Sequence, residues 1–245
     1  MQKKEYFCMH NRNYLLMLRI VNAILDVFFP RTCPACGQLL GEHESICEEC
    51  LSKLDRTQQA LYRDNVVETI FEKEKHFSYG GSWLWYQKGT YLQKMIHMAK
   101  FGRGNPLWLE QMGREAAKEW EEYGFFDGID VIVPIPLHPK RLRIRGFNQS
   151  EAIAKGMSDV LKIPMDTDHL TREVNNRKQS QSSKIEREHL KEGLFKVNHP
   201  EEWYEKTIML VDDIITTGAT FRAATHALKD VYNCKIVIFS LAKTK

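Results

Sequence analysis

The sequence predicts an α/β protein, with a parallel sheet flanked by helices, that carries a small cysteine-rich module near its N-terminus. From residue 127 onward, β-branched apolar runs alternate with helical patterns, which is typical of a parallel sheet covered on both faces. Between residues 33 and 50, two Cys-x-x-Cys pairs are separated by ten residues. With 245 residues, 43% of them hydrophobic and 27% charged, the chain can bury a core of ordinary size.

The first 30 residues contain a helical pattern rather than a membrane span or an export signal. One face of the predicted helix is apolar and carries Leu18, Val21, Leu25 and Phe28. Arg19, Asn22 and Asp26 interrupt the stretch, whereas a span needs about 20 mostly apolar residues and a secretory segment lacks such charges. We therefore predict an amphipathic helix within a module covering residues 15–61, after a polar and potentially disordered extension, residues 1–14. The expected compartment is the cytoplasm, where thiols stay reduced.

Four cysteines of this module have the spacing of a structural zinc site. They are Cys33, Cys36, Cys47 and Cys50. Two Cys-x-x-Cys pairs at this separation supply four thiolates for tetrahedral Zn²⁺, whereas a redox dithiol would need only one pair. Because protein fills all four positions, the zinc is expected to be structural. Cys234 is predicted to be a buried small residue at the start of a strand, and Cys8 has no evident role.

Residues 62–126 are rich in aromatic side chains and are partly helical in pattern. Two apolar faces repeat at helical spacing: Leu92, Ile96 and Ala99, and then Met112, Ala116 and Trp120. We predict that this segment forms a hood on a domain spanning residues 62–245, whose core is residues 127–245.

Three buried strands are predicted in that core, at residues 129–135, 207–211 and 235–241. Amphipathic helices follow the first two strands, with apolar positions at Ile153, Met157, Val160 and Leu161, and at Phe221, Ala224 and Leu228. Residues 172–191 are polar and charged, and they predict a long mobile loop of the kind that often closes over a ligand.

An acidic pair and a small-residue turn follow the second core strand. The pair is Asp212 and Asp213, and the turn is Thr216, Thr217, Gly218, Ala219 and Thr220. A turn at the carboxyl end of a parallel strand, with a helix starting behind it, suits a phosphate group. Two carboxylates would repel a bare anion, but they accept hydrogen bonds from the hydroxyls of a ribose. The pattern therefore predicts a ribose 5-phosphate site; the alternative is an acidic turn that caps a helix.

A basic segment follows the first core strand. Its cations are His138, Lys140, Arg141, Arg143 and Arg145. Guanidinium and ammonium groups bind phosphate oxygens, and the position after a strand places them at the ligand edge. The same residues would suit a nucleic-acid backbone, or would form a solvated basic turn.

The chain resembles type I phosphoribosyltransferases and, within them, the ComF family of bacterial competence proteins (ComFC-like). Residues 208–220 resemble the motif for phosphoribosyl diphosphate (PRPP), and residues 133–141 and 145–149 resemble the ComF branch. The cysteine module and the helix before it, which ends in Phe28-Phe29-Pro30, also match. The resemblance covers residues 18–242.

The resemblance implies a type I phosphoribosyltransferase fold that binds PRPP with Mg²⁺. Residues 212–213 and 216–220 would hold the ribose 5-phosphate. Lys140, Arg141, Arg143 and Arg145 would hold the pyrophosphate. Gln179 and Arg187 would belong to the closing lid, although the family's asparagine after that arginine is absent. No general base stands out, so no catalytic residue is assigned.

For function, the resemblance implies a role in DNA uptake during natural transformation. The protein would handle incoming single-stranded DNA or dock a competence helicase or other proteins of the membrane-associated uptake machinery. Aromatics expected to be exposed, Trp83, Trp85 and Tyr86, would stack on the strand. The net charge of +3 is too small to indicate nucleic-acid binding by itself. Two alternatives stay open: a phosphoribosyltransferase for an unidentified small acceptor, and a non-catalytic PRPP-sensing regulator.

Overall fold

The computed structural model of the protein describes residues 31–41, 44–101, 106–172 and 194–245. The predicted extension and amphipathic helix, and the lid residues Gln179 and Arg187, lie outside the described residues.

A four-stranded parallel sheet forms the centre of the fold, with the order β1-β6-β5-β2. Its strands are β1 (Phe77–Tyr86), β2 (Val131–Pro134), β5 (Thr207–Ile215) and β6 (Lys235–Thr244). A separate antiparallel pair consists of β3 (Leu170–Arg172) and β4 (Phe195–Val197). The central strands β5 and β6 are nearly continuous apolar runs because both of their faces are covered.

Helices cover the two faces of this sheet. The helices of the described residues are α1 (Glu48–Ser52), α2 (Val66–Phe71), α3 (Tyr91–Phe101), α4 (Leu107–Glu121), α5 (Pro139–Arg145), α6 (Gln149–Leu161) and α7 (Ala219–Ala227). The cysteine module, α3, α4 and α6 pack on one face, where Trp120 meets Phe239. Helices α2 and α7 pack on the other face, where Phe71 meets Phe221. The predicted apolar faces of α3 and α4 are buried, as expected.

The structure corrects the predicted hood, because β1 lies within residues 62–126 and belongs to the main sheet. Glycines at positions 80 and 81 break the alternation that would identify a strand. Gly80 is needed for close packing, since a Cβ there would lie 2.9 Å from the carbonyl oxygen of Ile238 on the neighbouring strand. Trp83 lies on this strand and is fully buried, so its predicted exposure is wrong.

The basic segment is also different from its prediction, because it forms helix α5 rather than a loop. Pro139 occupies the first turn, and the His138 side chain accepts a hydrogen bond from the backbone N–H of Lys140 at 3.1 Å. Both features favour a helix start. Among the described residues, no helix is long and apolar enough to cross a membrane.

Candidate functional site

The four predicted cysteine ligands come together in the N-terminal module. The Sγ atoms of Cys33, Cys36, Cys47 and Cys50 all lie within 4.8 Å of one another. The Sγ atoms of Cys36 and Cys47 are 3.7 Å apart, close to the separation of about 3.8 Å that tetrahedral zinc–sulfur bonds of about 2.3 Å require. The donor set therefore fits structural Zn²⁺.

The ionisation of the cluster also favours a cation. Burial alone would raise the pKa of the Cys33 thiol, but hydrogen bonds from the backbone of Cys47, Cys36 and Ala35 outweigh it and lower the pKa to about 7. Burial and the neighbouring sulfurs raise the pKa of Cys50. A bound metal ion would offset the raised pKa of Cys50, since a coordinated thiol is deprotonated.

Side-chain hydrogen bonds fix this module to the rest of the fold. The side-chain oxygen of Gln111, on α4, accepts from the backbone N–H groups of Ser45 and Ile46 at 2.7 and 3.2 Å. Arg56 donates to the Leu51 carbonyl at 2.6 Å, and its guanidinium lies 4.7 Å from the ring centroid of Trp83. These contacts join the zinc module directly to α4 and to strand β1 of the sheet.

A cleft of about 260 Å³ opens at the carboxyl ends of β2 and β5. Its lining combines two carboxylates with four cations: Asp212, Asp213, Lys100, Arg141, Arg145 and Arg172. Thr216 and Thr220 of the small-residue turn line it as well. The structure thus brings the predicted acid pair, part of the turn and part of the basic segment to one place.

The acid pair lies within β5 rather than in the turn after it. Asp212 Oδ1 accepts a hydrogen bond from Ser150 Oγ at 2.7 Å and one from the Asp213 backbone N–H at 2.9 Å. Asp213 Oδ2 pairs with Lys100 Nζ at 2.6 Å. Burial, and then the charge of Asp213, raise the pKa of Asp212 to about 7. The pKa of Asp212 therefore lies close to neutral pH.

The cationic side of the cleft uses only part of the predicted basic segment. Positions four apart share a helix face, so Arg141 and Arg145 both reach the cleft from α5. Lys140 and Arg143 are exposed and do not line the cleft. Of the four residues predicted to hold the pyrophosphate, only Arg141 and Arg145 therefore lie at the cleft. Arg172, at the end of β3, completes the cationic side, and its Nε has no hydrogen-bond partner among the described residues.

The backbone of the small-residue turn requires a glycine at position 218. Gly218 has φ +77, and a Cβ there would lie 2.8 Å from side-chain atoms of Ile70 and Phe71. Helix α7 begins at the next residue without a side-chain cap, so its first backbone N–H groups are available to an anion. Thr217 is exposed, and its carbonyl oxygen accepts from Arg222 at 2.9 Å.

Two residues of the cleft were not assigned from the sequence. Lys100 lies in the predicted hood, and nothing in its local pattern places it beside Asp213. Ser150 follows Asn148, which caps α6 and whose side-chain N–H₂ donates to the Ile135 carbonyl at 3.1 Å. This contact ties the start of α6 to the end of β2, and that tie brings the Ser150 hydroxyl to Asp212.

Comparison with known proteins agrees with this architecture. A family model described as a phosphoribosyl transferase domain matches residues 147–245, and one described as a double zinc ribbon domain matches residues 24–61. The chain therefore combines a phosphoribosyltransferase-type domain with a zinc-ribbon module. Within the described residues, the module gathers one four-cysteine cluster.

Curated relatives have names connected with competence and DNA use. The chain is 28% identical to "Competence protein ComFC" of Bacillus subtilis, over 80% of this chain and 70% of the relative. It is 28% identical to "Competence protein F" of Haemophilus influenzae over 46% and 50%, and 28% identical to "DNA utilization protein YhgH" of Escherichia coli O157:H7 over 62% and 67%. The resemblance to the ComF competence proteins is confirmed.

Among solved structures, adenine phosphoribosyltransferase from Leishmania tarentolae is 9% identical, with a TM-score of 0.36 over 62% of this chain and 74% of that one.

Proposed function

We propose that the cleft binds PRPP, with the ribose in the middle and its two phosphate ends on opposite sides. The carrying observation is that one small cleft is lined by two carboxylates, by threonines of the small-residue turn and by three arginines. The 5-phosphate would meet the backbone N–H groups at the start of α7 and the hydroxyls of Thr216 and Thr220. The ribose hydroxyls would donate to Asp212 and Asp213.

The diphosphate would lie against Arg141, Arg145 and Arg172. Three guanidinium groups lining one small cleft suit the several phosphoryl oxygens of a diphosphate better than those of one monoester. Mg²⁺ would bind with the ligand, since it usually takes substrate phosphates and few protein ligands. The residues predicted for the lid, Gln179 and Arg187, lie outside the described residues.

Calorimetry with ribose 5-phosphate and with PRPP, each with and without Mg²⁺, tests the assignment. Both ligands should bind, PRPP more tightly with Mg²⁺. Asp212→Asn/Asp213→Asn should weaken both ligands, because the ribose loses its acceptors. Asp64→Asn/Asp230→Asn removes the same charge from exposed positions and should change nothing. If the first pair of substitutions binds as tightly as the unmodified protein, the ribose role of the two aspartates is wrong.

We further propose that the protein acts in DNA uptake during natural transformation, as the names of its relatives suggest. In that role it would handle incoming single-stranded DNA or dock the uptake machinery, including a competence helicase. A deletion strain should be transformed by added DNA much less often than its parent strain. Normal transformation by that strain would remove the biological claim while leaving the PRPP site untouched.

A transferase activity is the second candidate, and the pKa of Asp212 near 7 favours it. A carboxyl group that exchanges a proton near neutral pH can act as a general base or acid. Incubation with PRPP, Mg²⁺ and a panel of nitrogen acceptors, with release of pyrophosphate as the readout, separates this from a non-catalytic PRPP sensor. A sensor would bind PRPP and release none.

A further inference from the structure

A second and larger cleft, of about 460 Å³, lies between the zinc module and the other edge of the sheet. It is formed by the residues after α1, the carboxyl end of β1 and the first turn of α3. Its lining includes Lys53, Leu54, Asp55, Trp85, Tyr91 and Lys94. None of these residues belongs to the proposed PRPP site.

The walls of this cleft are aromatic. Trp85 is half-buried near the end of β1, and Tyr91 is 44% exposed at the start of α3. Leu54 and Leu92 are buried and form apolar parts of the lining. An aromatic ring, such as a nucleobase, could lie against these side chains, because every base offers a face for stacking.

Three lysines and two carboxylates lie at the rim of the cleft, so its net charge is positive. Lys94 lies 5.9 Å from the Tyr91 ring centroid and has no carboxylate partner among the described residues. Lys53 pairs with Glu49 at 2.6 Å, and Lys245 pairs with Asp55 at 2.7 Å and lies 6.0 Å from the Trp85 ring centroid. Exposed pairs of this kind are weak, so these lysines can turn to phosphate groups at little cost.

The two clefts are separate positions along the carboxyl ends of the parallel strands. Trp85 on β1 is in register with Lys243 on β6, which is in register with Ile215 on β5. Strands lie about 4.8 Å apart, so the ends of β1 and β5 are about 10 Å apart. The arginines that line the first cleft face the proposed diphosphate position, and they are therefore not free for a second anionic chain.

We propose that the cleft between the zinc module and β1 holds single-stranded nucleic acid, with a base against Trp85 and Tyr91 and phosphates on Lys53 and Lys94. The proposal rests on the proposed role in DNA handling, and it moves the strand away from the basic helix α5. It also gives the zinc module a function, since the residues directly after α1 form one wall of the cleft.

Fluorescence polarisation with a labelled oligothymidylate of about 12 nucleotides tests the proposal. Tyr91→Ala should weaken binding roughly 5- to 150-fold, the range expected for loss of one stacked base, and Tyr91→Phe should retain it. Lys53→Gln/Lys94→Gln should lower the slope of log affinity against log salt by about 1.4. Lys140→Gln/Arg143→Gln removes the same charge from α5 and should leave both affinity and slope unchanged.

The proposal would be overturned if the α5 variant lost oligonucleotide affinity while the cleft variants kept it. It would also be overturned if the unmodified protein bound no oligonucleotide at low salt. Saturating PRPP with Mg²⁺ should leave the oligonucleotide affinity unchanged, because the ligands occupy different clefts; competition would place both in the first. A second copy of the chain is the other candidate occupant of the cleft, and sedimentation velocity tests it. Self-association that Tyr91→Ala abolishes would assign the cleft to a second copy. Ribose 5-phosphate affinity, measured on the same variants, should stay normal, so failure of either site is seen separately.

Discussion

Replacing Asp212 with asparagine should stabilise the ligand-free protein above neutral pH while removing part of its ligand site. The pKa of this carboxyl is raised from 3.8 to about 7, by burial first and then by the charge of Asp213. Between these values the folded protein binds a proton that the unfolded chain has released. The free energy of unfolding therefore falls as pH rises from about 4 to 7. Asparagine does not titrate in this range, so the free energy of unfolding of the variant does not show this fall.

The magnitude follows from the difference in pKa. At 1.36 kcal/mol for each pKa unit, the full cost of ionising Asp212 at pH 8 is at most about 4 kcal/mol, and somewhat under 3 of this develops between pH 5 and pH 8. Asp212 keeps partial contact with solvent, which screens its charge and reduces this cost. We therefore expect a relative gain of about 1–2 kcal/mol for Asp212→Asn between these two pH values.

Urea denaturation of the zinc-loaded protein at pH 5 and pH 8 measures this gain. The comparison of variant with unmodified protein cancels the other groups that titrate in the same range. Asp64→Asn, at an exposed position, should stay within about 0.5 kcal/mol at both pH values. A difference between Asp212→Asn and the unmodified protein that is the same at pH 5 and pH 8 would refute the reasoning.

Three further predictions concern the metal, the turn and the cationic side. Cys36→Ser should release zinc and destabilise the module; metal analysis that finds one zinc per chain in both proteins would contradict the site. Gly218→Ala should lower stability by about 1–3 kcal/mol in thermal denaturation, because φ is +77 and the new methyl would contact α2. Arg145→Met should weaken PRPP more than ribose 5-phosphate in calorimetry, and Arg143→Met should affect neither; equal losses for both ligands would remove the diphosphate role.

The parts of the fold that the sequence predicted are those whose pattern is local. The strands β2, β5 and β6 contain β-branched apolar runs, and the helices α6 and α7 have regular apolar faces. Buried parallel strands and amphipathic helices are read from a few neighbouring residues. The four-cysteine cluster was predicted for the same reason, since ligand spacing within two tight turns determines it.

The parts that were missed depend on contacts between distant segments. Strand β1 was not predicted because its glycines serve close packing against β6, which no local alternation reveals. The basic segment was predicted as one binding loop, and its helical form sends Arg141 and Arg145 to the cleft and Arg143 to solvent. Lys100 reaches Asp213 across 113 positions of the chain, so only the fold could place it there.

A crystal structure of the protein with bound ribose 5-phosphate tests the central claim most directly. The claim predicts the phosphate within hydrogen-bond distance of the backbone N–H groups of Ala219 and Thr220, and the ribose hydroxyls within hydrogen-bond distance of Asp212 and Asp213. It also predicts that the 2.6 Å contact of Lys100 with Asp213 lengthens or shifts as a hydroxyl takes its place. A phosphate bound at Arg141 and Arg145 instead, with the acid pair still untouched by the sugar, would contradict the account.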